Sequence, residues 1–175
     1  MGGEQAVEAT GHSIWLMPEE SSADEIRRAI KSLSLKYGAP DFEPHVTLIG
    51  NLQGPEDAIL HKTERLAEGL EPYQIVFSDF GYLTEYFRSL FAVVERSKEV
   101  MHAFNAATQI FGIEKSDYMP HLSLLYGSIP EAEKKAVISS VGNGFYKAFT
   151  VNRLFLYSTS GAVEKWHKIG DFEIQ

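Results

Sequence analysis

One short phrase occurs twice in this chain, as Pro44-His45-Val46-Thr47-Leu48-Ile49-Gly50 and as Pro120-His121-Leu122-Ser123-Leu124-Leu125-Tyr126-Gly127. In each copy a histidine precedes a hydroxyl residue by two positions inside an apolar, β-prone run. On a strand those two polar side chains leave from one face, roughly 6.5 to 7 Å apart. Val46 and Leu48, or Leu122 and Leu124, then point the other way and can anchor each strand in a core. A single His-x-Ser/Thr triplet arises by chance in roughly a third of chains this long. The shared proline, apolar middle residue, following leucine and glycine-ended tail make the pair a duplication. A fold built on it must hold two equivalent strands.

If the two strands lie side by side about a pseudo-twofold axis, four polar groups converge. One imidazole can act as general base and the other as general acid, as hydrolysis requires when water attacks on one side and an alkoxide leaves on the other. Thr47 and Ser123 would donate hydrogen bonds to the non-bridging phosphate oxygens, where charge resides in the transition state. No step of that scheme calls for a metal. The other histidines fit no metal-ligand spacing: His61 and His102 fall on predicted helix surfaces, and His12 and His167 lack a partner motif.

Composition agrees with small-molecule chemistry. With 175 residues, 44% of them hydrophobic, the chain can bury a core as one unit of two lobes spanning 1–175, its first eleven residues being polar, small and expected to be flexible. The net charge of -8 opposes the basic track that long nucleic acid requires, so a small phosphorylated ligand is the expected partner. The absence of cysteine removes disulfides, thiolate zinc sites and thiol nucleophiles. The apolar run Ile14 to Met17 is too short for a membrane span or a signal sequence. The expectation is a soluble, cytoplasmic monomer without cofactor.

Periodicity orders the elements. Ser13 to Met17 reads as a strand, followed by a helix with a Ser22/Glu25 capping box, an Ile26, Ile30, Leu33, Tyr37 stripe and a stop at Gly38. After the first phrase come a helix from Pro55 to near Gly69 and strands over 73–80 and 88–94. Ser97 opens a helix that Gly112 caps. The second phrase precedes a helix over 130–141, one strand over 149–158 and a closing strand over 162–172, with a turn at Gly161. This is an α+β plan with an internal duplication.

The paired Pro-His-hydrophobic-Thr/Ser phrases resemble those of the two-histidine phosphoesterase superfamily. From Ser13-Ile14-Trp15 through Tyr118-Met119-Pro120-His121-Leu122-Ser123-Leu124-Leu125-Tyr126, the chain resembles the plant and fungal type cyclic nucleotide phosphodiesterases within it. The resemblance implies a bilobal fold, two pseudo-twofold-related antiparallel sheets flanked by helices around a central cleft. It implies metal-independent opening of ADP-ribose 1″,2″-cyclic phosphate, a by-product of tRNA splicing, and of nucleoside 2′,3′-cyclic phosphates to 2′-phosphates. His45 and His121 would be catalytic, with His121 as base and His45 as acid by the resemblance, while the duplication admits the reverse nearly as well; Thr47, Ser123 and Tyr126 would hold phosphate. Trp15 and Tyr86 would wall a base or sugar, whereas the residues alone are read equally well as core aromatics. Ser123 stands where many relatives have threonine, and the missing cysteines exclude any redox-dependent loop behaviour of plant members.

Two geometric conditions accompany that site. Strand alternation puts Tyr86 and Phe87 on opposite faces, so at most one meets the cleft. Tyr126 can share the face of His121 and Ser123 only if the strand bulges near Leu125. Competing functions are RNA end processing, by 2′-5′ phosphodiester hydrolysis or ligation, and a non-catalytic nucleotide-binding module.

Overall fold

The computed structural model describes residues 7–114, 117–141, 145 and 147–175. In chain order they form β1 (His12–Leu16), α1 (Glu20–Tyr37), β2 (Val46–Leu52), α2 (Glu56–Glu68), β3 (Tyr73–Gly81), β4 (Leu90–Val94), α3 (Lys98–Phe111), β5 (His121–Leu125), α4 (Glu131–Val141), β6 (Ala148–Val151), β7 (Arg153–Ser158) and β8 (His167–Glu173). The strands make one antiparallel sheet in the order β6-β3-β4-β5-β2-β1-β7-β8. The fold is α+β. The two expected sheets are therefore halves of a single one, joined along the two phrase strands, where Val46 pairs with Leu122.

The duplication runs through the topology. About the β2/β5 seam, β1 corresponds to β4, α1 to α3, α2 to α4 and β3 to β7. The halves exchange elements: β3 follows the first phrase but pairs with β4, whereas β7 follows the second phrase but pairs with β1. Likewise α1 packs on β5 and α3 on β2. Neither half-sheet is made from one half of the sequence.

The stretch expected to be one strand over 149–158 is two. β6 pairs with β3 at one end of the sheet order and β7 with β1 near the other, with only Asn152 between them. One residue spans about 3.5 Å, so the sheet must curl enough to bring the end of β6 to the start of β7. Periodicity along one strand could not reveal that change of neighbour. Helix α1 also starts earlier than its capping-box signature predicts: Glu19 is the N-cap, without a side-chain cap bond, and Ser22 lies buried in the first turn. Packing on the sheet sets that terminus. The closing strand expected over 162–172 begins only at His167, after a 3₁₀ turn at Val163–Lys165, whereas the cap signals hold, with Gly38 and Gly112 left-handed at the ends of α1 and α3 and Ser97 Oγ accepting from Val100 N–H at 3.2 Å.

Val46, Leu48, Leu122 and Leu124 are fully buried beneath the helices. Each such burial stabilises by about 1.5–3 kcal/mol, enough to fix the register and hence the face on which the histidines emerge. No helix among the described residues is long and apolar enough to cross a membrane.

Candidate active site

His45 stands just before β2 and His121 opens β5, so the two central strands place both imidazoles on one cleft of about 410 Å³, together with Thr47 and Ser123. Each ring is held alike. His45 Nδ1 lies 2.7 Å from the Glu43 carbonyl oxygen and His121 Nδ1 lies 2.8 Å from that of Met119, in both cases two residues upstream. A carbonyl can only accept, so each Nδ1 carries the hydrogen and each neutral ring keeps its lone pair on Nε2.

Burial pushes the His45 imidazole down to about 4; the Glu43 carbonyl opposes this and the neighbouring His121 adds to it. His121 is lowered too, chiefly by burial, with Met119 and Glu85 pulling up and Arg88 pulling down. Both rings are therefore neutral in the free protein near pH 7, and a proton on one disfavours a proton on the other.

The bulge that Tyr126 requires is present, and it is duplicated. Phe91 pairs with Ser123 but Leu90 with Leu125, so Leu124 is the extra residue; Trp15 pairs with Thr47 but Ile14 with Ile49, so Leu48 is its counterpart. A bulge re-aims the residues after it. In the second copy it turns Tyr126 to the cleft, buried against Phe42 with ring centroids 3.8 Å apart. Ser123 Oγ donates to the Phe87 carbonyl at 2.9 Å and lies near enough to the Tyr126 hydroxyl to oppose the upward push of burial on that phenol. The same alignment extends the repeat backwards, matching Ser13-Ile14-Trp15-Leu16 of the first half to Ser89-Leu90-Phe91-Ala92 of the second.

The two aromatic walls fall differently. Trp15 reaches the cleft by an edge, at 2% exposure, because His45 stacks on it at 3.6 Å and Tyr157 at 3.9 Å. Tyr86 lies outside the cleft lining, on a short 3₁₀ turn (Tyr86–Arg88) where strand alternation does not apply. Phe87 lines the cleft instead, with Trp166 5.7 Å away from the far end of the sequence.

Reading the sequence missed Phe87, Arg88, Trp166 and the polar group of Thr10, Asn51 and Thr159, all at the cleft. They sit in turns and strand ends without a motif. The Ser13/Ser89 repeat was the one available signal. Within the segment expected to be flexible, Ala9 bridges to Gly161 and Thr10 Oγ1 donates to Asn51 at 2.7 Å, so 9–10 form part of the rim; 1–6 lie outside the described residues. His61 and His102 are exposed as expected. No cluster of three or more potential metal-ligating side chains occurs among the described residues.

A family model described as the 2′-5′ RNA ligase superfamily matches residues 17–162, which include both histidine phrases. The chain belongs to that superfamily, the two-histidine phosphoesterases. This two-histidine phosphoesterase is 29% identical over 168 residues to the cyclic phosphodiesterase of Arabidopsis thaliana, covering 90% of this chain and 92% of that relative. It is 24% identical to the 2′,3′-cyclic-nucleotide 3′-phosphodiesterase of Phaeosphaeria nodorum, covering 94% and 99%. Its fold matches that of E. coli LigT, crystallised with NADP+, at a TM-score of 0.61 and 14% identity over 97% of this chain and 99% of LigT.

Proposed function

We propose that this two-histidine phosphoesterase hydrolyses cyclic phosphodiesters on ribose, opening nucleoside 2′,3′-cyclic phosphates to 2′-phosphates and ADP-ribose 1″,2″-cyclic phosphate to the 1″-phosphate. The observation that carries the reading is the pair of imidazoles, each tied by Nδ1 to a backbone carbonyl and each left with Nε2 on a shared cleft. The names of the two curated relatives support the same reaction class.

Phosphorus sits between the rings. His121, the more exposed of the two, takes a proton from water as the new O–P bond forms; the P–O3′ bond breaks, and His45 passes the proton on its Nε2 to O3′. Burial makes protonated His45 a strong acid, and the arriving phosphate anion favours loading it with that proton. Thr47, Ser123 and Tyr126 face the non-bridging oxygens. Arg88 is the single Lys or Arg among the described residues lining the cleft, which suits a small anion better than a polymer of phosphates.

Phosphorus NMR on a mixture of ADP-ribose 1″,2″-cyclic phosphate, a nucleoside 2′,3′-cyclic phosphate and a short 2′-5′ oligonucleotide tests this. Both cyclic phosphates should open, the nucleotide to its 2′-phosphate, at a rate that EDTA leaves unchanged. Cleavage of the oligonucleotide alone would support RNA end processing instead. Binding without turnover would leave a nucleotide-binding module, and strong inhibition by EDTA would refute the metal-free scheme.

A further inference from the structure

β1 lies between β2 and β7 in the sheet, so a side chain on its cleft face is approached from both sides. Trp15 is that side chain. From the β2 side the His45 ring lies flat on the indole, with centroids 3.6 Å apart and planes 8° off parallel. From the β7 side the Tyr157 ring lies on it at 3.9 Å and 20°. Both faces of the indole are thus occupied by protein, and a substrate ring has none to stack on.

We propose that Trp15 is a positioning residue for His45, with Tyr157 backing it, and not a wall for the substrate. The inference rests on His45 acting in proton transfer. An imidazole pinned only by Nδ1 can still tilt about that contact; the indole removes the tilt, so the Glu43 carbonyl fixes the edge and Trp15 fixes the plane. Nε2 is thereby aimed before substrate arrives. The indole also keeps water from one face of the ring. The second half has no such device, because Phe91, which corresponds to Trp15, meets His121 edge-on at 5.2 Å and 62°.

Charged groups surround this stack: His121 lies across the cleft on β5, Glu43 between α1 and β2, Arg27 on α1 and Asp171 on β8 act on Tyr157, and Asp41 and Glu164 line the cavity that Trp15 and Tyr157 share. Arg27 Nη2 holds the Glu43 carboxylate at 2.8 Å, steadying the residue whose carbonyl receives His45 Nδ1.

Trp15→Leu, Trp15→Phe and Tyr157→Leu decide the matter through two readouts. The His45 ring is followed by NMR against pH. In Trp15→Leu, water reaches the ring and its titration midpoint should rise toward the ordinary value of 6.5; Trp15→Phe should restore much of the depression. Turnover of adenosine and uridine 2′,3′-cyclic phosphates should fall roughly 10- to 100-fold in kcat, with KM within about twofold for both bases. A KM rise that depends on the base, with an unmoved His45 midpoint, would overturn the proposal and make Trp15 a substrate wall. Should Trp15→Leu not fold, Tyr157→Leu alters a half-buried ring and must shift the midpoint in the same direction by less; no shift overturns the proposal. If the wild-type protein turns over neither nucleotide, the hydrolysis reading fails while the His45 midpoint still judges Trp15.

Discussion

His45 and His121 hang from neighbouring strands by the same contact, each giving its Nδ1 hydrogen to a carbonyl two residues back, and each is followed by a hydroxyl residue and then a bulge. Their surroundings diverge. His45 is 6% exposed under a stacked tryptophan, whereas His121 is more open, meets a phenylalanine by its edge and lies near the Arg88/Glu85 ion pair. After the bulge the first copy continues with Gly50 and the second with Tyr126. Duplication has thus kept what the backbone needs to present an imidazole and changed what sets its solvation. One chain obtains two rings of the same tautomer in different electrostatic settings, as the proposed acid and base at one phosphorus would require.

Removing either ring should have the largest effect. His45→Ala and His121→Ala should each lower kcat on a nucleoside 2′,3′-cyclic phosphate by about 10²- to 10⁴-fold. Their stabilities should separate. Loss of His45 uncovers the indole of Trp15 and opens a cavity, so its thermal midpoint should drop; loss of the more exposed His121 should barely move it. Equal midpoints would remove the asymmetry of burial, and normal turnover in either variant would remove the catalytic role.

The hydroxyls should come next. In the resting structure Ser123 spends its hydrogen on the Phe87 carbonyl, so it must rotate to reach a phosphate. Thr47 anchors its strand differently, its carbonyl accepting from the Tyr118 hydroxyl at 2.9 Å. Thr47→Val should therefore cost about 10²-fold in kcat/KM. Ser123→Ala should cost roughly tenfold, and about 1–3 kcal/mol of stability for the Phe87 carbonyl it strands. A larger kinetic loss at Ser123 than at Thr47 would show that the resting hydrogen bond does not restrain it.

The site was legible where chemistry is written in local spacing. The His-x-Thr/Ser phrases gave the strands, the shared face and the two imidazoles, and even stated the condition for Tyr126, because a strand of period two admits it only with one extra residue. What was not legible depends on partners far along the chain. Trp15 loses both faces to residues 45 and 157, a fact no local pattern holds. The break at Asn152 follows from the curl of the sheet, and the cleft residues Phe87, Arg88 and Trp166 arrive on turns. The start of α1 shows a local signal losing to packing, since the Ser22/Glu25 box is present in sequence yet Ser22 is buried inside the helix.

The smallest effect is expected where the two halves differ most in size. Position 50 holds glycine with its backbone in an ordinary conformation, so the requirement is spatial: a Cβ there would lie 3.1 Å from Ser13 Oγ and 3.4 Å from Thr47 Cγ2. Ser13 is a small side chain whose hydroxyl pairs with that of Thr159 at 3.1 Å, and it can give by a few tenths of an ångström. Gly50→Ala should consequently destabilise by less than about 1 kcal/mol, a shift in Tm below about 4 °C, and change kcat/KM less than about threefold. A large residue is a different case. In the second half the Tyr126 ring lodges on Phe42, whereas in the first Ser13 and Thr47 crowd the corresponding space, so Gly50→Tyr should displace the strand and abolish turnover. If Gly50→Tyr instead folded and remained active, the first half would possess a pocket matching that of Tyr126, and the divergence of the two copies would be one of side chains alone.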